Sequence, residues 1–222
     1  MTSNTVENYI KAIFSLSAKS ENSVVSTNEI ASFLDTSAAS VTDMIKRLAD
    51  KGLIHYEKYK GVSLTKNGNR IAVRLVRKHR LWECFLVDKL NFDWHQVHDI
   101  AEQLEHIDSI ELTNRLEEFL DFPKDDPHGD PIPDRDGNFE RKKRISLISL
   151  EEGRSGIVVG VYDSEKSFLQ FLTENDIKLG SKLKVMRKHD FDNSILVSID
   201  DGKEALLSEI AGKSIYVKKD DT

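Results

Sequence analysis

The sequence predicts an α+β multidomain chain: an N-terminal winged helix-turn-helix, an all-α middle part, and a C-terminal SH3-like small β-barrel. Three observations carry this. Two short helical segments joined by a tight turn precede a pair of short apolar runs ending near Leu64. Long patterns of helical period fill residues 65–120. From about residue 141 the chain changes to short runs of strand type broken by Gly and Asp. The boundaries expected are 1–72, 73–140 and 141–222.

At 222 residues, length alone suggests one or two domains. The hydrophobic fraction is 39% and the charged fraction 32%, which is not the composition of a disordered chain. There is no apolar run of membrane-spanning length and no charged-then-apolar leader, so a cytoplasmic protein with no membrane partner is expected. The lone Cys84 excludes an internal disulfide and a cysteine-based zinc site. The net charge of −6 hides a segregation. Residues 1–80 hold 13 Lys and Arg against 7 Asp and Glu, a balance of +6, and the remainder carries −12. A basic first third on an acidic body fits a DNA-facing head and a cation-binding body.

Residues 4–18 have helical spacing in Val6, Tyr9, Ile10, Ile13 and Phe14, with Glu7 and Asn8 near the start. Thr27 is the expected cap of a short helix that buries Ile30, Ala31 and Leu34. After the Asp35-Thr36 turn, Ser37 caps a second helix, which runs to about Asp50 and closes at Gly52. Ser37, Ala38, Ala39, Ser40 and Thr42 are small enough to approach base edges, and Lys46 and Arg47 can reach phosphates. An ordinary helical hairpin shares this pattern. The hairpin Leu53–Leu64 that follows turns the module into a winged helix. Lys58 and Lys60, flanked by Tyr56 and Tyr59, form the wing tip, where a phosphate or minor-groove contact is expected. A solvated hairpin is the alternative.

Thr65 is the expected cap of a long helix reaching about Leu90, with Ile71, Leu75, His79, Trp82 and Leu86 on one face. Asp93 should cap the next helix and Ser109 a third, in which Ile110, Leu112, Leu116, Phe119 and Leu120 are apolar. So apolar a region beside a small winged helix suggests a dimer interface. His98, Glu102, Glu105 and His106, at about 100° per residue, share an arc of about 100° on one helix face. Trp94, Val97, Ala101 and Leu104 would form the apolar stripe beside it. Imidazole with carboxylate is the ligand set of a borderline or hard divalent metal. A solvated face with incidental histidines reads equally well. Residues 121–140 hold all 4 prolines and Asp125, Asp126, His128 and Asp130, in either a metal-binding loop or a polar linker. Beyond it, strands are expected at Ile145–Leu150, Gly156–Tyr162, Lys182–Arg187, Ser194–Ile199, Glu204–Ser208 and Ser214–Lys218, with one helix at Ser167–Glu174. No nucleophile-base pair or phosphate loop appears among them.

Four stretches together resemble the metal-dependent repressors typified by the diphtheria toxin repressor and the manganese transport regulators. They are Arg77-Lys78-His79-Arg80-Leu81-Trp82-Glu83, Val97-His98-Asp99, Leu104-Glu105-His106, and Phe122-Pro123-Lys124-Asp125-Asp126-Pro127-His128-Gly129 with Ile132-Pro133. Their order and spacing match, and the resemblance spans the chain. It implies a winged-helix head, a helical dimerisation domain and an SH3-like domain related to the iron-transport accessory fold. It also implies one metal site of His79, Glu83 and His98, joined by the loop residues Asp126 and His128 and by an acidic residue of the third domain, for which Asp163 is the candidate. A second site is implied at Glu102, Glu105 and His106, completed by Glu7 or Asn8 of the first helix.

The chain departs from the family pattern in places. Asn8 replaces the methionine of iron-type members and the aspartate of manganese-type ones. Glu102 and Asp126 stand where relatives carry cysteine, and Ser164 and Ser167 fall near the third-domain Glu and Gln ligands of iron-type members. Lys11 stands where short manganese-type members have a glutamate. These changes remove sulfur or leave oxygen, so Mn²⁺ is favoured and Fe²⁺ is next. The function expected is a metal-activated repressor of metal-uptake genes that binds a double-stranded palindromic operator as a homodimer and is not an enzyme. The competing readings are a metal-assisted hydrolase and a winged-helix regulator sensing a small organic ligand.

Overall fold

The structure, a computed structural model, describes residues 3–18, 23–58, 60–139, 143–162 and 165–220. It forms two compact units. The first comprises Met1–His79, Gln103–Thr113 and Pro133–Asn138, and the second Arg80–Glu102, Asn114–Ile132 and Phe139–Thr222.

In the first unit, α1 (Asn4–Ser17) is capped by Ser3 and buries Val6, Tyr9, Ile10, Ala12 and Ile13. The cap of α2 (Thr27–Phe33) is Ser26, and Thr27, the expected cap, is its first helical residue. Two adjacent hydroxyls compete there. Glu29, three residues after Ser26, decides by returning its carboxylate to the Ser26 N–H in a reciprocal capping box. Asp35, at φ +46°, turns the chain into α3 (Ala38–Asp50), which Ser37 caps as expected. Strands β1 (Ile54–Glu57) and β2 (Gly61–Leu64) pair antiparallel, with Ile54 opposite Leu64 and Glu57 opposite Gly61. Ile10, Ile13, Ile30, Val41, Ile45, Leu48, Ile54 and Val62 form one core, so the wing is packed to both helices of the motif. Thr65 caps α4 (Lys66–Leu90), its Oγ1 accepting the Gly68 N–H at 3.1 Å.

In the second unit, the later part of α4 buries Leu86 against Val97 and Ala101 of the α5 (His98–Leu104) region. It buries Leu81 and Cys84 against Leu116 and Leu120 of the α6 (Ile110–Phe119) region. Two expectations are corrected. The helix expected after Asp93 begins only at His98, because residues 93–96 close a turn in which the Gln96 N–H reaches the Asp93 carbonyl at 2.9 Å. Trp94 therefore leaves the helical stripe and packs on the C-terminal core. At the other end α5 stops at Leu104, and the Ile107 N–H bonds the Leu104 carbonyl at 3.1 Å. Glu105 and His106 thus sit in a turn, outside the regular helix that the 100° arc assumes.

The C-terminal part is an antiparallel sheet. Its strands are β3 (Ile145–Ser146), β4 (Ser155–Val161), β5 (Lys182–Lys188), β6 (Ile195–Ile199), β7 (Lys203–Leu207) and β8 (Ile215–Lys219), in the order β3-β8-β4-β5-β6-β7. Register shifts in β4 after Val158 and in β5 after Val185 bend it around the core. Leu169 and Leu172 of α7 (Lys166–Glu174) are part of that core. The run expected as one strand at Ile145–Leu150 is a two-residue strand and a 3-10 turn, which points Leu147 and Leu150 inward. A helix that the sequence reading did not assign, α8 (Glu209–Ser214), is capped by Ser208.

Candidate metal centre

Within the second unit, Glu83, Asp126 and His128 each place a ligand atom within 4.8 Å of the others, and all three are buried. Glu83, on α4, divides its oxygens. Oε1 lies 3.6 Å from His98 Nδ1 and Oε2 lies 3.7 Å from His128 Nδ1. His98 in turn faces Glu102, with Nε2 3.8 Å from Oε1, so it stands between members of the two expected ligand groups.

The loop is shaped by its own backbone. Oδ1 of Asp126 accepts the N–H groups of His128 at 2.8 Å and Asp130 at 3.0 Å. Gly129 sits at φ +84°, and a Cβ there would meet the Val159 carbonyl at 2.2 Å, so only glycine fits. The Val161 N–H donates to the His128 carbonyl at 2.9 Å, fastening the loop to β4. Arg80, next to His79 in the sequence, pairs with Asp126 Oδ2 and Asp130 Oδ2, each at 3.3 Å. Nε2 of His128 donates to the Trp94 carbonyl at 3.0 Å, leaving Nδ1 on the Glu83 side. An imidazole held through its outer nitrogen by a backbone carbonyl is the usual arrangement of a metal-ligating histidine. The roles of Arg80 and Trp94 were not deduced from the sequence, because both depend on contacts far apart in the chain.

Charge is concentrated here. Burial pushes Asp126 up to about 6, with Glu83 adding to the rise and Arg80 and His128 opposing it. Burial alone would lower His128, but the nearby carboxylate of Glu83, with that of Asp126, outweighs it and raises His128 to about 9. Acidic and imidazole groups so placed suit a divalent cation, which would replace the proton on His128. Asp163, the expected third-domain ligand, lies outside the described residues, as do Tyr59 and Ser164. Ser167 lies in the first turn of α7 and donates to Glu165 Oε1 at 2.9 Å. Cys84 is buried, and its thiol pKa is raised by that burial and by Asp126 and Asp88.

A second cluster lies within the first unit. His106 Nδ1 is 2.7 Å from Glu7 Oε2. His79 Nδ1 and Lys11 Nζ both reach Oε2 of Glu105 at 2.6 Å, so His79 engages a residue expected in the other site. Burial acts to raise the Glu105 pKa, but His79 and Lys11 overcome it and hold it below the usual carboxylate range. Oε1 of Glu105 and Oδ1 of Asn8 are both buried with no hydrogen-bond donor. Two bare buried oxygens among charged neighbours suit a bound cation.

In the head, Ser37, Ala38, Ala39, Ser40, Lys46 and Arg47 are exposed, whereas Thr27 and Thr42 are half-buried. Ser37 is partly occupied, since its Oγ caps the Ser40 N–H at 3.1 Å and contacts Ser40 Oγ at 2.8 Å. The Thr42 hydroxyl donates to the Ala38 carbonyl. Lys60 pairs with Glu57 at 2.7 Å across the exposed wing. Among the described residues no helix is long and apolar enough to cross a membrane.

Comparison with known proteins agrees with this layout. Residues 1–62 match the iron dependent repressor N-terminal DNA binding domain, residues 65–134 the iron dependent repressor metal binding and dimerisation domain, and residues 145–219 the FeoA domain. The chain is 35% identical to the diphtheria toxin repressor of Corynebacterium efficiens over 68% of this chain and 67% of that one. It is 30% identical to the iron-dependent repressor IdeR of Mycobacterium leprae over 81% of this chain and 78% of that one. A solved manganese-dependent transcriptional repressor in complex with manganese is 36% identical, with a TM-score of 0.87 over 96% of this chain and 99% of that one.

Proposed function

Because the chain belongs to the iron-dependent repressor family, we propose that it is a cytoplasmic, homodimeric repressor of metal-uptake genes, activated by Mn²⁺ ahead of Fe²⁺. Its functional divisions are residues 1–72, 73–140 and 141–222. The observation that carries the metal reading is the buried Glu83–Asp126–His128 group, with His128 aligned by the Trp94 carbonyl.

Two ion sites follow. Glu83, His98, Asp126 and His128 hold one, and the family resemblance assigns His79 and Asp163 to it as well. Glu105, His106, Glu7 and Asn8 hold the other, to which the resemblance assigns Glu102. A bound divalent ion supplies positive charge among carboxylates that otherwise repel one another, and it cross-links the elements that carry them. Oxygen and imidazole donors favour Mn²⁺ and Fe²⁺ over thiophilic ions. Glu7 and Asn8 belong to α1, which packs into the core of the winged helix. By holding an ion there, these residues would restrict the head and with it the spacing of two α3 helices on a palindromic operator. Ser37, Ala38, Ala39, Ser40 and Thr42 face bases, supported by Thr27, while Lys46, Arg47, Lys58 and Lys60 face phosphates. Ile110 and Phe119, 67% and 63% exposed on α6, fit the dimer interface. Membership of a repressor family favours this reading over the hydrolase and the organic-ligand sensor. The test is a titration of Mn²⁺, Fe²⁺ and Zn²⁺ against the chain, with and without promoter DNA from metal-uptake genes. Metal-dependent binding is expected, and binding indifferent to every metal would overturn the proposal.

A further inference from the structure

We propose that Arg144 is a positioning residue of the Glu83–Asp126–His128 site: seated on the Tyr216 ring, its guanidinium holds the Asp130 end of the loop and so fixes His128 against Glu83. The inference rests on the metal-activated reading above.

Arg144 immediately precedes β3. Its Cζ lies 4.2 Å from the centroid of the Tyr216 ring, a stacking distance for a guanidinium. Tyr162 packs edge-on against Tyr216, with centroids 6.2 Å apart and planes at 77°. From that seat Nη2 reaches Oδ1 of Asp130 at 3.3 Å, and Nη1 donates to the Gly129 carbonyl at 3.4 Å. A Cβ at Gly160 would come within 2.9 Å of Nη1, so the bare glycine on β4 leaves the guanidinium its room. The other Asp130 oxygen, Oδ2, pairs with Arg80 of α4. Asp130 is thus held between a guanidinium of α4 and one of the C-terminal part.

Asp130 closes the loop around His128. Its carbonyl accepts the Asp126 N–H at 2.9 Å, and its own N–H donates to Oδ1 of Asp126 at 3.0 Å. Asp126 and His128 therefore move with Asp130, and the Val161 N–H on the His128 carbonyl fastens the same corner to β4. Metal ligands depend on such outer partners for their orientation. Arg144 acts in two opposed ways. Its positive charge repels an incoming cation, whereas its grip on Asp130 aligns the ligands. The side chains of Arg144 and Asp130 are 28% and 37% exposed, so water screens the repulsion and alignment prevails. The sign of the effect on metal affinity therefore tells the two apart.

The experiment follows Mn²⁺ binding at this site by quenching of Trp94, whose ring stacks on that of His128 at 6.0 Å and 17°. Trp82→Phe leaves Trp94 as the single tryptophan of the chain. In that background the titration compares Arg144 with Arg144→Gln and Arg144→Lys, and repeats Arg144→Gln alongside Asp130→Asn. Both Arg144 variants should bind Mn²⁺ about tenfold more weakly, the loss usual for an outer partner. Lysine keeps the charge but neither the planar fork nor the stacking. Once Asp130→Asn is in place, Arg144→Gln should change the affinity little further, which a general loss of packing would not reproduce. Without metal, hydrogen exchange at the Val161 amide should be several times faster in Arg144→Gln than in the native chain, with the melting temperature lower by no more than about 2 °C. Affinity unchanged or tighter in Arg144→Gln, native affinity in Arg144→Lys, or an undiminished loss in the Asp130→Asn background overturns the proposal. A native chain whose Trp94 does not respond to Mn²⁺ ends the metal-activated reading. The Val161 amide then decides the Arg144 assignment alone, faster exchange in Arg144→Gln sustaining it and a native rate overturning it.

Discussion

Oε2 of Glu83 lies 3.7 Å from Nδ1 of His128, beyond a good hydrogen bond and within the span of two ligands on one ion. Metal–ligand bonds of about 2.0–2.2 Å put two donors on one ion at most about 4.4 Å apart.

That relationship sets a pH dependence. His128 is raised to about 9, so near neutral pH its ring carries a proton that an incoming ion must displace. Mn²⁺ affinity of this site should rise with pH, approaching tenfold per unit while that proton is bound, and level off above about 9. Calorimetry in buffers of different ionisation heat should find close to one proton released per ion at pH 7.5. For the metal-free fold the sign is opposite. The raised His128 pKa contributes stability that is fully present below its unfolded value of about 6.5 and is lost as pH rises through about 9.

Gly129→Ala should destabilise the loop. The added Cβ meets the Val159 carbonyl, and the residue keeps a positive φ, so a loss of about 2 kcal/mol or more is expected. Denaturant melts check the loss, and limited proteolysis of residues 121–145 should show faster cleavage with metal present. His128→Ala keeps the backbone geometry and should produce the milder form of the same effect.

Much of this was legible in the sequence, and the gaps have physical causes. Capping hydroxyls, apolar period and the hairpin after α3 are local signals, so the winged helix and the start of α4 are where they were expected. Ser26 displaced Thr27 as cap because a glutamate lay at the matching distance. The stripe from His98 to His106 was read as one helix, and it fails where a turn after Leu104 takes over. No local pattern reveals that turn. The grouping of Glu83 with His128 followed from the family resemblance. The Lys11–Glu105 contact joins residues 94 apart in the chain, and the sequence marked Lys11 only as a departure. Trp94 illustrates the same limit: its indole N–H bonds Thr173, 79 residues away.

The wing can be tested by salt. Lys58→Ala and Lys60→Ala should weaken specific and random DNA alike and lower the slope of log affinity against log salt by roughly one per lost phosphate contact. An unchanged slope in both variants would remove the wing from the DNA interface.

Cys84→Ser should leave metal activation intact, since the thiol is buried, its pKa is raised, and it lies 3.6 Å from the Asp125 carbonyl. Loss of metal response in a chain of native stability would place sulfur among the ligands.

The Glu105 group is expected to control the head, and the His128 group the loop and sheet. The direct measurement is operator affinity against Mn²⁺ concentration for the native chain, Glu105→Ala and His128→Ala. An ion at a hundredfold above its Kd contributes about 2.7 kcal/mol, or about a hundredfold in operator affinity if all of it is coupled to binding. Glu105→Ala should lose nearly all of that increment while remaining dimeric, and His128→Ala should lose only part of it. Activation abolished by His128→Ala and retained by Glu105→Ala would contradict the account.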